Sequence, residues 1–283
     1  MPKFTQKDLY LANRARLQAP GKRCVGADSF ERDWIAQRIS ECGVCARILS
    51  LFELTQALSD RVALEQKEAS AESAYVAHEM QIDEFRILVQ EFAVDGLTEA
   101  QVFYHVLPRL PLEAQMPLLR IMIDEFGSGN INRAHTTLYV ELLRELDMTP
   151  SLDFYQASVG ETSLEFVNLF FWLALRADDC SYFAGALTYL EASIPVFFEC
   201  YAQACRRLGV RASAYYTEHQ HIDKFHAVEG RRLLSAMAAS GVLDADKAHR
   251  GALLTSHITD IAFRSAVAKA RSSPDRLRHR KGT

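Results

Sequence analysis

The stretch from Tyr215 to Glu229, YYTEHQHIDKFHAVE, holds the residues of this chain best suited to chemistry. It contains His219, Asp223 and His226, at successive offsets of four and three residues. At about 100° per residue, these side chains fall within a fan of about 60° on one side of a helix. Imidazole and carboxylate groups that face one point are good ligands for a first-row transition metal.

The side of this helix that carries the three residues is also its apolar side, so we expect it to be buried. Glu218 and His221 form another ligand pair, the E-x-x-H of ferritin-like di-iron bundles. They fall on the polar side, and the sequence has no second E-x-x-H, so we reject that register. Hydrogen-bonded core histidines are the alternative interpretation, but burying Asp223 without a cation would cost several kcal/mol.

The elements that must position these residues are helices. Thirteen glycines and eight prolines are few for 283 residues, and alternating apolar and polar strands are almost absent. We predict an all-α protein: an N-terminal arm with accessory helices (1–72), a main bundle (73–270) and a disordered basic tail (271–283). Ser29 is the predicted N-cap of the second helix, Thr98 that of a short helix, and Pro195 predicts a kink. Longer helices are predicted over residues 29–51, 73–92, 112–126, 132–147, 163–176, 182–207, 212–240 and 244–270.

The composition of the chain limits which partners and which cellular location we expect. A net charge of −4 gives no reason to expect nucleic acid or an anionic membrane as a partner. No apolar run reaches about 18 residues, and the first residues lack the apolar core of a signal peptide, so we expect a cytoplasmic protein without a membrane span. The six cysteines are scattered, and we interpret the C-G-V-C of Cys42 and Cys45 as packing.

Three further ligand types lie on apolar helix faces. Glu191 shares its stripe with apolar residues of the helix that contains Pro195. Glu125 and His135 would diverge by about 80° in a straight helix, but the sequence GSGN lies between them and predicts a break that turns both towards one site. An ordinary loop between two helices is the alternative.

These residues sum to three histidines and three carboxylates. Six ligands of mixed N and O type suit two irons better than one zinc, which prefers four ligands. The predicted ligands are Glu125, His135, Glu191, His219, Asp223 and His226.

Three motifs carry a resemblance: DEFGSGNINRAH (124–135), LTYLEASIP (187–195) and HQHIDKFH (219–226). In this order they resemble the haem-oxygenase-like di-iron oxidases and oxygenases, over about residues 73–240. The resemblance implies a haem-oxygenase-like helical bundle without haem, and a non-haem di-iron oxidoreductase. It further implies two ferrous ions held by the six ligands, with O2 as co-substrate.

The resemblance leaves the reaction open among N-oxygenation, desaturation and oxidative C–C cleavage. It implies a small amino-acid-derived substrate in a biosynthetic pathway. A manganese–iron pair, an external electron donor and a homodimer stay open as well. The alternatives are a metal-free oxidase or hydrolase of the same fold and a non-catalytic helical metal-binding protein.

Weaker candidates lie near the predicted ligands. Some relatives have an extra upstream carboxylate, and Glu99 is the best match, although a glutamate in a first helical turn also favours the helix dipole. Tyr139 and Tyr215 each lie one turn from a predicted ligand, and could contact the substrate or orient a ligand. Core tyrosines with satisfied hydroxyls are the alternative. We assign no catalytic residue beyond the ligands.

Overall fold

The computed structural model describes residues 4–19, 21, 24–43 and 46–272. Regular structure in these residues is entirely helical, as predicted. Short 3-10 segments lie at Gln101–His105, Leu107–Arg109, Gly127–Gly129 and Ile131–Arg133. The α-helices are α1 (Gln6–Gln18), α2 (Ala27–Glu41), α3 (Leu51–Lys67), α4 (Ala71–His78), α5 (Ile82–Glu91), α6 (Ala93–Gly96), α7 (Leu112–Glu125), α8 (His135–Glu145), α9 (Leu152–Ser158), α10 (Glu161–Leu175), α11 (Cys180–Phe197), α12 (Glu199–Leu208), α13 (Ala214–Ala239) and α14 (Ala245–Arg271).

Helix α11 lies at the centre of the bundle, where it packs against both α13 and α14. Glycines permit the close approach: a Cβ added to Gly230 of α13 would lie 3.0 Å from Thr188 of α11. A Cβ on Gly185 of α11 would overlap the backbone of Ala248 in α14. Helix α7 also packs against α13. The core helices α7, α11 and α13 are therefore held close together around one region of the interior.

The predicted helix over residues 73–92 is wrong in one respect, because the chain breaks between α4 and α5. The backbone N–H groups of Glu79 and Met80 both donate to the carbonyl of Tyr75 and close α4, and Met80 is fully buried. Glu84 then accepts a hydrogen bond from the backbone N–H of Gln81 (2.8 Å) and starts α5. Burial of Met80 and local capping outweigh the continuous apolar pattern.

Two predicted N-caps are also wrong. Helix α2 starts at Ala27 after Gly26, whose φ of 89° is left-handed, and ends at Glu41, well before residue 51. The Thr98 hydroxyl donates to the carbonyl of Val94 (2.7 Å) instead of capping a following helix. At Pro195 the predicted kink appears three residues later, where α11 gives way to α12 at Phe198.

The N-terminal segment is not a loose arm. Asn13 of α1 donates to Asn168 of α10 (3.0 Å) and accepts from Arg176 (2.8 Å). Arg38 of α2 forms an ion pair with Glu165 of α10 (2.7 Å). Buried polar groups that satisfy one another in this way fix α1 and α2 to α10.

Some predictions concern residues that the structure does not describe. Cys45 and residues 273–283 lie outside the described residues, while α14 continues to Arg271. The domain boundaries at residues 72 and 270 stay predictions. No helix in the described part of the chain combines the length and apolar character that crossing a membrane requires.

Candidate metal centre

Helix α13 presents its predicted stripe to the core. His219, Asp223 and His226 are 3%, 0% and 1% exposed. Glu218 and His221 are exposed on the opposite side, so the rejected E-x-x-H register does point to water. The 3.6-residue period therefore predicted correctly which side of α13 is buried.

The turn after α7 brings Glu125 and His135 together. Gly127, Ser128 and Gly129 all have positive φ, of 62°, 54° and 82°. A Cβ on Gly127 would lie 2.5 Å from the backbone N of Ala134, so a larger residue would push the two ends of the turn apart. Nδ1 of His135, the first residue of α8, lies 2.8 Å from Glu125 Oε2.

Four residues form what we call the Glu99 group: Glu99, Glu125, His135 and His219. One potential ligand atom from each lies within 4.8 Å of the others. His219 Nδ1 donates to the carbonyl of Tyr215 (2.6 Å), which leaves Nε2 facing Glu99 Oε1 at 3.0 Å. A backbone acceptor on one ring nitrogen fixes the tautomer in which the other nitrogen binds a metal.

Three residues form what we call the Asp223 group: Glu125, Asp223 and His226, again within 4.8 Å of one another. His226 Nδ1 lies 3.2 Å from Asp223 Oδ1 and 3.5 Å from Glu125 Oε1. Glu191 of α11 adjoins this group, with Oε2 3.2 Å from the same nitrogen. The six predicted ligands thus lie together, and Glu125 belongs to both groups.

Opposite charges dominate the electrostatics of the site. Burial lowers the pKa of His226, but the Glu191 carboxylate and its neighbours outweigh burial and raise the pKa to about 11. Burial also lowers the pKa of His135, but the charge of Glu125 outweighs burial and the pKa is raised. The same holds for His219, whose pKa is raised chiefly by Glu99. Burial raises the pKa of Glu191 to about 7 against the attraction of His226.

Unsatisfied buried atoms are concentrated in this site. Among the described residues, nine buried side-chain N or O atoms lack a hydrogen-bond partner. Six of them belong to the two groups: one each on Glu99, Glu125, His135 and His226, and both carboxylate oxygens of Asp223. The close pairs His135 Nδ1–Glu125 Oε2 and His226 Nδ1–Asp223 Oδ1 are near enough for ion pairs but lack the alignment of a hydrogen bond. Such atoms are costly unless something binds them. A pair of cations held by this mixed oxygen and nitrogen donor set fits this pattern.

The weaker candidates divide. Tyr215 donates to Glu99 Oε1 (3.3 Å) and contacts the Glu99 group, whereas the Tyr139 hydroxyl donates to the carbonyl of Val89 (2.6 Å). Glu99 lies in a turn before Ala100, whose φ is 58°, and not in a first helical turn, so the helix-dipole explanation does not apply. Sequence reasoning did not identify Asp124, the residue before Glu125, as part of the site. Its Oδ2 lies 3.5 Å from His226 Nε2.

A cavity of about 80 Å³ opens beside the two groups. One wall carries Glu99, Glu125, Glu191, His219 and Asp223, and most of the rest is apolar, including Phe166, Phe170 and Phe198. A cavity needs at least about 10–15 Å³ to hold one water molecule, so this cavity is several times larger than that minimum. A small molecule of similar size would contact the predicted ligands in a largely apolar surrounding.

The fold and the site together define a helical protein with a carboxylate- and histidine-rich centre in its core. The chain belongs to the family of iron-containing redox enzymes, whose family model matches residues 86–260. Its helical structure agrees with the haem-oxygenase-like all-α fold that the sequence predicts. The chain is also similar to a nitrosourea synthase of Streptomyces achromogenes subsp. streptozoticus, at 29% identity over 143 residues. That match covers 50% of this chain and 30% of the relative.

Proposed function

We propose that this protein is a non-haem di-iron, O2-dependent oxygenase that oxidises a nitrogen atom of a small amino-acid-derived metabolite in a biosynthetic pathway. The observation that carries the proposal is the pair of ligand groups that share Glu125, with members of both groups lining one cavity. A carboxylate common to two groups suits two metals held side by side. Bound iron would supply the means to reduce and activate O2, with the O2-derived oxidant acting on the substrate in the cavity.

The side chains have distinct roles in this proposal. Glu125, His135 and His219, with Glu99, would hold one iron, and Glu125, Asp223 and His226, with Glu191, the other. The apolar wall of Phe166, Phe170 and Phe198 would exclude bulk water, which protects reactive species from side reactions. The hydrogen bond from His219 Nδ1 to the carbonyl of Tyr215 would direct Nε2 at the metal once the proton on Nε2 is displaced.

The choice of N-oxygenation over desaturation or C–C cleavage rests on the relative. Its name describes the synthesis of a nitrosourea, a compound that contains an oxidised nitrogen. For an N–H group converted to N–OH, one oxygen atom of O2 enters the product and the other leaves as water. That balance requires an electron pair and two protons, so we also propose an external reductant as a partner.

Anaerobic titration with Fe(II) tests the metal centre. We expect about two irons per chain, because two groups of ligands are present. His219→Ala and Glu191→Ala should each lower this number, while His221→Ala, an exposed histidine of the same helix, should leave it unchanged. Wild-type metal binding by both His219→Ala and Glu191→Ala would contradict the proposal.

An O2 pulse in the presence of a panel of amino acids and their N-methyl and guanidino derivatives tests the reaction. Incorporation of one labelled oxygen atom on nitrogen from 18O2 supports N-oxygenation. A product that has lost two hydrogens, or a shorter carbon chain, points to desaturation or C–C cleavage. Full activity in the presence of a chelator points to a metal-free enzyme, and metal binding with no O2 consumption for any compound points to a non-catalytic protein.

A further inference from the structure

Arg14 lies in the wall of the same cavity that four of the six predicted metal ligands line. It belongs to α1, outside the residues matched by the family model. Among the described residues that line the cavity, it is the only side chain with a permanent positive charge. The cavity thus has a metal-binding wall, an apolar surround and one guanidinium.

The guanidinium of Arg14 is only partly used within the protein. Its Nη1 donates to Gln101 Oε1 (3.0 Å), and Gln101 also lines the cavity. No carboxylate among the described residues forms an ion pair with Arg14. A guanidinium has five N–H donors in a planar fork, so most of its capacity remains for an anion in the cavity.

The arginines of a neighbouring cavity show the contrast. That larger cavity, of about 500 Å³, shares Phe198 and Tyr215 with the first. Arg61 and Arg264 line it, but Arg61 pairs with Glu65 (2.7 Å) and Arg264 with Asp260 (2.8 Å). Their charges are already compensated, which leaves Arg14 as the arginine suited to a ligand anion.

Helix α1 is fixed well enough to hold a binding group in place. Asn13, next to Arg14, exchanges hydrogen bonds with α10 through Asn168 and Arg176. Tyr10, one turn before Arg14, is fully buried. Burial raises the pKa of its hydroxyl to about 12, while the nearby charge of Arg14 lowers this pKa and that of Asp95 raises it. A guanidinium carried by a docked helix loses little entropy when it binds a planar anion.

We propose that Arg14 binds the carboxylate of the substrate and thereby directs the opposite, nitrogen-bearing end at the metal centre. The proposal deepens the proposed function and rests on it for the identity of the reacting end. A carboxylate matches the fork of a guanidinium bidentately. A phosphate, which shares this chemistry, carries more charge than one arginine in an apolar cavity compensates, so the small cavity favours the carboxylate.

Binding of matched acid and amine pairs tests Arg14 directly. The pairs are L-lysine with cadaverine, L-arginine with agmatine, L-ornithine with putrescine and L-leucine with isoamylamine. Affinities are measured by calorimetry without O2, on the Fe(II)-loaded protein and on the metal-free protein. We expect at least one amino acid to bind about tenfold or more tightly than its decarboxylated amine, since a charge-assisted bidentate pair is lost with the carboxylate.

Variants then assign the preference to Arg14. Arg14→Gln should abolish it, and Arg14→Lys should retain part of it, because lysine keeps the charge but not the fork. Arg16→Gln is the matched control, since Arg16 lies on the same helix and pairs with Asp28 (2.5 Å) away from the cavity. If Arg14→Gln melts early, Arg14→Lys carries the test alone.

Three results would overturn the proposal: no acid preferred over its amine, a preference that survives in Arg14→Gln, or inorganic phosphate that competes better than acetate. Binding without O2 separates this outcome from that of the proposed function. An acid preference that depends on Arg14 in a protein that never consumes O2 would sustain the anchor and refute the oxygenase. Turnover with equal affinity for acids and amines would do the reverse.

Discussion

The Asp223 group and the Glu99 group share Glu125 but are held by different kinds of structure. Asp223 and His226 lie within the long helix α13, and Glu191 lies within α11. All three are at most 6% exposed. In the Glu99 group, Glu99 lies in a turn next to Ala100, which has a positive φ, and the side chain of Glu99 is 18% exposed. His135 follows a turn that contains two glycines.

The two groups should therefore differ in how rigidly their side chains are held. Side chains on packed helices are fixed by their neighbours, whereas a carboxylate on a turn that borders a cavity can change its position at lower cost. Apart from the contact between Oδ1 and His226 Nδ1 (3.2 Å), neither oxygen of Asp223 has a hydrogen-bond partner, so the Asp223 group gains more from a cation. We expect the metal in the Asp223 group to bind more tightly and the metal in the Glu99 group to exchange more readily.

Glu125→Ala should have the largest effect, because it removes the residue common to both groups. We expect iron binding to fall from about two per chain towards none, and turnover to be lost with it. Metal analysis after anaerobic loading measures the stoichiometry. Glu113→Gln, an exposed glutamate of the same helix α7, is the control. If Glu125→Ala still bound both metals, the shared-carboxylate arrangement would be wrong.

Asp223→Ala and His135→Ala should each remove one metal, but not the same one. Asp223→Ala should eliminate the tighter site and leave the weaker one, and His135→Ala should do the opposite. A competition titration with a coloured chelator reports the affinity that survives in each variant. Equal residual affinities in the two variants would abolish the distinction between the groups.

The helical phase explains why much of this site could be predicted from the sequence. A stripe of period 3.6 determines which face of α13 is buried, and the same logic places Glu191 on the inner face of α11. The GSGN sequence indicated a break that brings Glu125 and His135 to one place, since glycine is unfavourable within a helix and readily adopts positive φ. Local rules suffice for these residues.

Other features depend on tertiary packing and carry no local signal. Glu99 was named from the sequence only as a weaker candidate in a first helical turn, and it faces the site because of the turn at Ala100, whose φ non-glycine residues seldom adopt. Arg14 reaches the cavity only because α1 docks on α10, which the polar composition of the N-terminal segment did not indicate. The break after α4 similarly follows from the burial of Met80. Asp124 was missed because its side chain is 37% exposed yet still approaches His226.

Metal affinity should fall as the pH is lowered. The pKa values of His135 and His219 are raised, and that of His226 is raised to about 11, so protons compete with a metal for these rings at higher pH than they do for a free imidazole. Metal binding must displace those protons, which weakens affinity roughly tenfold per displaced proton for each pH unit of acidification. Glu191, with a pKa of about 7, adds a further proton below that pH.

Calorimetry in buffers of different ionisation enthalpy counts the protons released. We expect a net release of protons at neutral pH for both metals. Affinity that does not change between about pH 6 and pH 8 would mean that the imidazoles are already deprotonated in the metal-free protein.

Glu99→Gln should weaken one metal without removing it. The amide keeps the shape of the side chain but not the charge, and His135, His219 and Glu125 remain in the group. We expect roughly a 10–100-fold loss of affinity for the weaker metal, the range typical of groups that support a ligand. The tighter metal should be unaffected. Loss of the tighter metal instead would show that the turn carrying Glu99 is the rigid part of the site.

Asp124→Asn should have the smallest effect, and it tests whether His226 belongs to the Asp223 group. Asp124 Oδ2 lies 3.5 Å from His226 Nε2, the ring nitrogen opposite the one that faces Asp223. A carboxylate there would favour the proton on Nε2 and leave Nδ1 able to bind the metal. Because Asp124 is partly exposed and the contact is long, we expect a loss of about tenfold at most, confined to the tighter metal. If the loss fell on the weaker metal, His226 would belong functionally to the Glu99 group.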